Sequence, residues 1–298
     1  MAPTHKVKVG IIGGTGLEDP QILEGARRID NVDTPYGRIS DKMLEGEING
    51  VPCVILSRHG RAHDVDPTHV NYRANLWALA EQGVTVIIAS TACGSLQEHI
   101  KPGELLFPDS VYDRTFARAV SFFDGKGPMP GVCHIAPHPL YHEPLRQLLI
   151  STAQSMKADL GDVHVGGFGV CIEGPRFSTR AESNVFRSWG ASIVNMTMIP
   201  EVPLAKELGI PYASVALITD YDCWKDDQEH VSVDLVTATL CNNAEKAKKL
   251  FIAAIAEIAK RDWSADIKEA KRAARASVML PPDVSVPMLD SYPGSGDH

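Results

Sequence analysis

The sequence predicts an α/β fold in a single domain. Apolar runs of strand length recur at Val7–Ile12, Val51–Ser57, Val84–Ala89 and Tyr212–Thr219. Segments with helical apolar spacing separate or follow them, and no linker divides the chain. The runs stop abruptly in polar groups, as expected where the strand ends of an open sheet meet a ligand.

At 298 residues the chain is long enough for one large domain or two small ones, and one is simplest. Its 44% hydrophobic and 22% charged content suits a globular protein with a sizeable core. The formal net charge of −8 argues against a general nucleic-acid binder. No apolar run reaches membrane-spanning length, and Met1–Lys8 lacks the apolar core of a signal peptide. Cytoplasmic residence is expected, with nuclear presence compatible.

Val7–Ile12 runs into Gly13-Gly14-Thr15-Gly16. A strand entering a glycine-rich turn lets backbone N–H groups approach an anion, and Thr15 adds a hydroxyl. A dinucleotide fold would begin the same way, with Asp33 as its acidic residue. That fold needs a full helix after the turn. Pro20, Gly25, Pro35 and Gly37 leave room for little more than two turns, so an anion loop without a dinucleotide is expected.

Val51–Ser57 ends in Arg58-His59-Gly60-Arg61-Ala62-His63, a cationic cluster suited to phosphate, because guanidinium binds its oxygens in a fork. Spacing through Leu76, Trp77, Leu79 and Ala80 predicts a helix over Asn71–Gln82, stopped by Gly83. Val84–Ala89 leads into Ser90-Thr91-Ala92-Cys93-Gly94-Ser95, small residues that let a ligand lie against the backbone. Strand ends offering hydroxyls, N–H groups and cations point to a shared anion site.

Arg114–Gly131 reads as a long functional or interface loop. A helix is expected over Pro144–Met156 and a strand over Val163–Ile172. Glu173-Gly174-Pro175-Arg176-Phe177-Ser178 forms a turn, and Ser178 or Thr179 caps the next helix, which carries Glu182, Val185, Phe186 and Trp189. A short strand at Ser192–Asn195 and a helix over Val202–Leu208, closed by Gly209, follow. Tyr212–Thr219 then delivers Asp220, with Asp222 two residues on. That pair reads either as a solvated turn or as two carboxylates aimed at one polar ligand. Val233–Arg261 has a long amphipathic helix pattern with a break near Asn242. Residues 281–298 contain four prolines, two glycines and no core pattern, and read as a mobile tail.

The six cysteines, Cys53, Cys93, Cys133, Cys171, Cys223 and Cys241, are scattered without a Cys-x-x-Cys pair, so reduced thiols are expected rather than disulfides or a zinc site. His134, His138 and His142 are four apart, but Pro137, Pro139 and Pro144 break the helix that would align them, and no metal is expected there.

The motifs Gly10–Leu17, Arg58–Gly60, Thr91–Leu96, Glu173–Ser178, Asn195–Thr197 and Thr219–Trp224 together closely resemble the trimeric purine nucleoside phosphorylase family, in its branch that acts on 5'-methylthioadenosine. The resemblance runs to about Leu280, giving a phosphorylase domain over residues 1–280 and the tail beyond. It implies a central mixed, twisted β-sheet surrounded by helices, and a homotrimer. It also implies phosphate-dependent cleavage of 5'-methylthioadenosine to adenine and 5-methylthioribose 1-phosphate, in methionine and purine salvage. Phosphate would be a co-substrate, with no metal or organic cofactor.

By the same carry-over, Gly13, Thr15, Arg58, His59, Thr91, Ala92 and Thr197 hold phosphate. Phe177 and Met196 pack on the ribose, and Ser178, Asp220 and Asp222 face the base. His63, Val233 and Val236, with His134 and Met279 from a neighbouring subunit, surround the 5' substituent. Asp220 is the expected acid, giving or sharing a proton at N7 of the base. Members acting on 6-oxopurines carry Asn at the position of Asp220 and Glu at that of Ser178, so a 6-aminopurine is expected. Relatives commonly carry leucine where this chain has Thr237 and Met279, which raises adenosine as a further substrate. The readings set against this one are a phosphorylase for adenosine or 6-oxopurine nucleosides, and a non-catalytic nucleoside or dinucleotide binder.

Overall fold

The computed structural model describes residues 7–14, 22–30, 32–225, 232–281 and 283–290. Its strands are β1 (Val9–Gly13), β2 (Glu24–Ile29), β3 (Asp33–Thr34), β4 (Gly37–Arg38), β5 (Met43–Ile48), β6 (Val51–Ser57), β7 (Val86–Ser95), β8 (Leu105–Phe107), β9 (Ser110–Arg114), β10 (Val132–Cys133), β11 (Val163–Val165), β12 (Phe168–Ile172), β13 (Ile193–Asn195), β14 (Tyr212–Asp220) and β15 (Val278–Met279). Its helices are α1 (Tyr72–Glu81), α2 (Glu143–Ser155), α3 (Lys157–Leu160), α4 (Arg180–Ser188), α5 (Met198–Glu207), α6 (Val233–Ile258) and α7 (Ser264–Ala276).

The main sheet runs β11-β8-β14-β7-β1-β6-β5-β2, with β13 on the far part of β7 and β12 and β9 beyond it. It is mixed: β7 pairs in parallel with β1 and β14 but antiparallel with β13. The central strands are filled because both faces are covered. Along β1, Val9 and Ile11 join one core with Leu149 of α2 and Phe251 and Ile255 of α6. Ile12 joins the other, with Leu76 of α1 and Val202 of α5. The same alternation splits Ile55 from Val54 and Leu56 on β6, and Ile88 from Ile87 and Ala89 on β7. Period-two side chains between two helical layers produce the continuous apolar runs of the sequence.

Several boundaries differ from the sequence reading. The strand expected to end at Ala89 continues: Ser90–Ser95 is the second half of β7, which small residues allow to run on into the site. The run Val163–Ile172 splits at Gly166 and Gly167, whose φ values of 90° and 85° end the strand pattern. α6 continues unbroken past Asn242, and the buried Asn243 donates to the Ile218 carbonyl at 2.8 Å. β2 occupies ground where a dinucleotide fold would place a helix. Packing also continues past residue 281: Val286 and Leu289 are buried, and Lys271 Nζ donates to the Met288 carbonyl at 2.8 Å. The mobile-tail reading of 281–298 therefore does not describe residues 283–290; residues 291–298 lie outside the described ones. Among the described residues no helix is long and apolar enough to cross a membrane, and no cluster suited to a metal is present.

Candidate active site

A cavity of about 710 Å³ opens at the ends of β1, β6, β7 and β14. Its axis follows from β7 and β14. Thr91 lies opposite Ala216, and Gly94 opposite Asp220, with a register shift between Ile218 and Asp220. The shift is a bulge, a device that re-aims side chains beside functional sites. A Cβ at Gly94 would stand 3.0 Å from Asp220 Oδ1 and 3.2 Å from Asp222 Cβ, so glycine there leaves room for the carboxylates.

Arg58, His59, Thr91, Ala92 and Thr197 line one end together. Thr91 and Thr197 share a hydrogen bond between hydroxyls at 2.9 Å, joining β7 to the start of α5. Arg58 is fully buried and forks onto Glu201, with Nε to Oε2 at 2.6 Å and Nη2 to Oε1 at 2.7 Å. Its Nη1 donates to the Ser90 carbonyl at 2.9 Å, and the Tyr212 hydroxyl donates to Glu201 Oε1 at 2.6 Å. A buried guanidinium needs such a partner.

The expected cationic cluster is smaller than the sequence suggested. Arg61 pairs with Asp41 at 2.9 Å, away from the cavity. His59 is held neutral, since burial and then the Arg58 charge lower its pKa to about 4. Gly13 is buried in β1 and its carbonyl accepts the Arg58 N–H at 3.0 Å, while Gly14 reaches the cavity. Thr15 lies outside the described residues.

Asp220, Asp222 and Ser178 gather at the other end. Thr219 Oγ1 donates to Asp220 Oδ2 at 2.7 Å, and the Asp222 N–H donates to Asp220 Oδ1 at 2.6 Å. Burial raises the pKa of Asp220 against these two bonds. Asp222 is raised by burial and then by the Asp220 charge, against a pull from the nearby Ser183 and Ser178 hydroxyls, whose geometry falls short of a hydrogen bond. The pair is therefore not a solvated turn. Among the described residues, Asp222 Oδ2 and Ser178 Oγ are buried without a hydrogen-bond partner. Buried polar atoms left so cost about 1–3 kcal/mol each, which a polar ligand would recover.

Phe177, Met196, His63, Val233, Val236 and Thr237 also line the cavity. His134 and Met279 do not line this chain's cavity. They lie on a separate ribbon in which Val132 pairs with Met279, and His134 N donates to the Ser277 carbonyl at 2.8 Å.

Sequence reasoning missed three residues that hold these walls. Glu201, the partner of Arg58, lies one residue before the helix expected from Val202 and 143 residues from that partner. Arg118, deep in the loop 114–131, donates to the carbonyls of Met196 at 2.6 Å, Ile199 at 2.5 Å and Glu173 at 2.6 Å. Glu173 accepts from Arg118 Nε at 3.0 Å and from the N–H groups of Phe116 and Ala117 at 2.6 and 3.1 Å. Through this pair the loop straps the Glu173–Ser178 turn to Met196; nothing local in the sequence marks it.

Comparison with known proteins accords with this geometry. Residues 8–256 match the model of the phosphorylase superfamily. An S-methyl-5'-thioadenosine phosphorylase from Caenorhabditis elegans is 63% identical over 284 residues, covering 95% of this chain and 97% of that protein. A methylthioadenosine phosphorylase from Schistosoma mansoni in complex with adenine aligns with a TM-score of 0.85 at 40% identity, covering 92% of this chain and 99% of the other. A mutant of the adenosine/methylthioadenosine phosphorylase of that organism, in complex with methylthioadenosine, aligns with the same score, identity and coverage.

Proposed function

The chain belongs to the phosphorylase superfamily, and on that premise we propose that it cleaves 5'-methylthioadenosine with inorganic phosphate, yielding adenine and 5-methylthioribose 1-phosphate. One observation carries this reading. An anion end at Thr91 and a carboxyl end at Gly94 and Asp220 share a single cavity along β7 and β14. Three residues of strand separate them by about 10 Å, enough for a ribose between phosphate and base.

Breaking the C1'–N9 bond leaves cationic character on the sugar and an electron pair on the base. Phosphate held by Arg58, His59, Thr91, Ala92 and Thr197, with Gly13 and Thr15, stabilises that cation, and one of its oxygens forms the new bond to C1'. Phe177 and Met196 orient the ribose. Asp220, on which burial favours a proton, gives that proton to N7 so that adenine leaves uncharged. Asp222 accepts from the 6-amino group, and Ser178 bonds the same base. A 6-oxo group would turn a lone pair toward Asp222, which disfavours 6-oxopurines.

Adenosine is a second substrate on this reading. Thr237 sets a hydroxyl in the 5' wall beside Val236, and the Schistosoma neighbour is an adenosine/methylthioadenosine phosphorylase. The working form is a homotrimer in the cytoplasm, with His134 and Met279 completing a neighbour's 5' pocket. Phe116 is 85% exposed and Met279 68%, apolar surfaces that such an assembly would cover. The reaction needs no metal or organic cofactor.

An assay of free base from methylthioadenosine, adenosine and inosine, each with and without phosphate, tests this. Phosphate-dependent adenine release with inosine inert is expected. Inosine as the best substrate would overturn the base assignment, and no cleavage at all would make the chain a binder.

A further inference from the structure

The phosphate end carries little net charge. Arg58 is the one guanidinium lining the cavity among the described residues, and its charge is matched by the fork onto Glu201. His59 Nδ1 lies 2.8 Å from the Val65 carbonyl oxygen, an atom that only accepts, so Nδ1 carries the ring proton. The ring is buried, its centroid 4.7 Å from that of His63. Arg58, His63 and Arg118 all act against a second proton on it. Asp64 and Asp66 also line the cavity: the Asp64 carboxylate folds against Gly60, and Asp66 pairs with His69 at 2.7 Å. Neutral His59, which lines the cavity, therefore carries its free lone pair on Nε2.

We propose that His59 acts as a hydrogen-bond acceptor for the oxyanion, so that the site selects a tetrahedral anion carrying its own P–O–H proton and rejects one that has none. This rests on the phosphate reading above. Phosphate near neutrality keeps at least one proton and presents it to Nε2, while Thr91, Thr197 and Arg58 donate to its other oxygens. Sulfate has the same shape and two charges but no proton. It would set an oxygen lone pair against the Nε2 lone pair, and among the described residues no Lys or Arg besides the paired Arg58 lines the cavity to offset the clash.

The test is sulfate inhibition of phosphate-dependent adenine release by the full chain. At neutral pH the sulfate inhibition constant should exceed the KM for phosphate by at least about tenfold, since a site built around one polar hydrogen rejects the analogue lacking it. Sulfate should bind more tightly as pH falls and Nε2 gains a proton. His59→Gln, which offers an amide N–H, should narrow the gap between the two anions. Sulfate as tight as phosphate at neutral pH, or an inhibition constant that ignores pH, would overturn the proposal while leaving the phosphorylase reading intact. Adenine release that ignores phosphate would overturn both. The sulfate measurement on the native chain decides the matter even where the variant does not fold.

Discussion

The Asp222 N–H donates to Asp220 Oδ1 at 2.6 Å, so the two carboxylates belong to one turn. Asp222 adopts a φ of 52°, a left-handed conformation that Asp tolerates better than most residues. This fold-back leaves Asp222 Oδ2 without a partner among the described residues while both Asp220 oxygens accept hydrogen bonds. Burial favours a proton on Asp220 against the two bonds that its oxygens accept. Asp222 Oδ2 is open to accept a hydrogen bond from a ligand.

Asp220→Asn should lower kcat by about 10²–10⁴-fold with a smaller change in KM, the usual weight of a general acid. Burial raises the pKa of Asp220 above the ordinary 3.8, so its proton is present below that raised value and lost as pH rises through it. The native kcat should therefore fall on the alkaline side, and the variant should lose that limb. A pH–rate profile of both enzymes checks this; an unchanged kcat would remove Asp220 from the acid role.

Glu201→Gln should cost about 3–5 kcal/mol of stability, because it leaves the buried Arg58 charge uncompensated. The Arg58–Glu201 fork bridges β6 to α5 at 2.6 and 2.7 Å, deep in the core. Urea unfolding of native and variant chains measures the difference. A loss below about 1 kcal/mol, the worth of an exposed pair, would contradict that role.

The contrast between Arg58 and Glu201 shows how far the sequence could be read. Arg58 follows an apolar run and is legible as a group at a strand end. Glu201 and Arg118 are meaningful only once the chain has folded, since their partners lie 143 and 55 residues away. Periodicity found β6, α1 and β14 because each buries a regular pattern. It passed over α7, whose Ser264–Ala276 buries only Ile267 and Ala274. It also stopped β7 too early, because Ser90–Ser95 is small and polar where the strand enters the site. The charge of the anion end was over-read for the same reason: Arg61 and His59 have the right side chains, but a surface carboxylate takes one and burial neutralises the other.

Glu173→Gln should flatten the acid limb of stability. Burial alone would raise the pKa of this carboxylate, but bonds from the Phe116 N–H, Arg118, the Ala117 N–H and Thr68 hold it down to about 2. A depressed pKa contributes stability above the unfolded value, near 4.5, which is lost as pH falls toward about 2. Urea midpoints across that window should drop for the native chain and vary less for the variant. The variant's KM for nucleoside should also rise, since Glu173 and Arg118 together hold the turn that carries Phe177. Equal acid dependence in both chains would deny Glu173 this part.

Thr237→Leu should shift preference from adenosine toward 5'-methylthioadenosine by roughly tenfold in kcat/KM, in line with what a change of polarity or one methylene yields in a small pocket. Thr237 shares its wall with Val233, Val236 and Leu240 on the first turns of α6. A 5'-hydroxyl against valine and leucine alone would lose its water without a partner, at about 1–3 kcal/mol, and the Thr237 hydroxyl can supply that partner. A 5'-methylthio group needs none and gains from a more apolar wall. The substitution therefore acts on the two substrates in opposite directions and spares the phosphate and base ends. Paired kinetics with both nucleosides at saturating phosphate measure the ratio. If the ratio stays fixed while both rates change together, Thr237 contributes to the packing of α6 and not to the choice of 5' group.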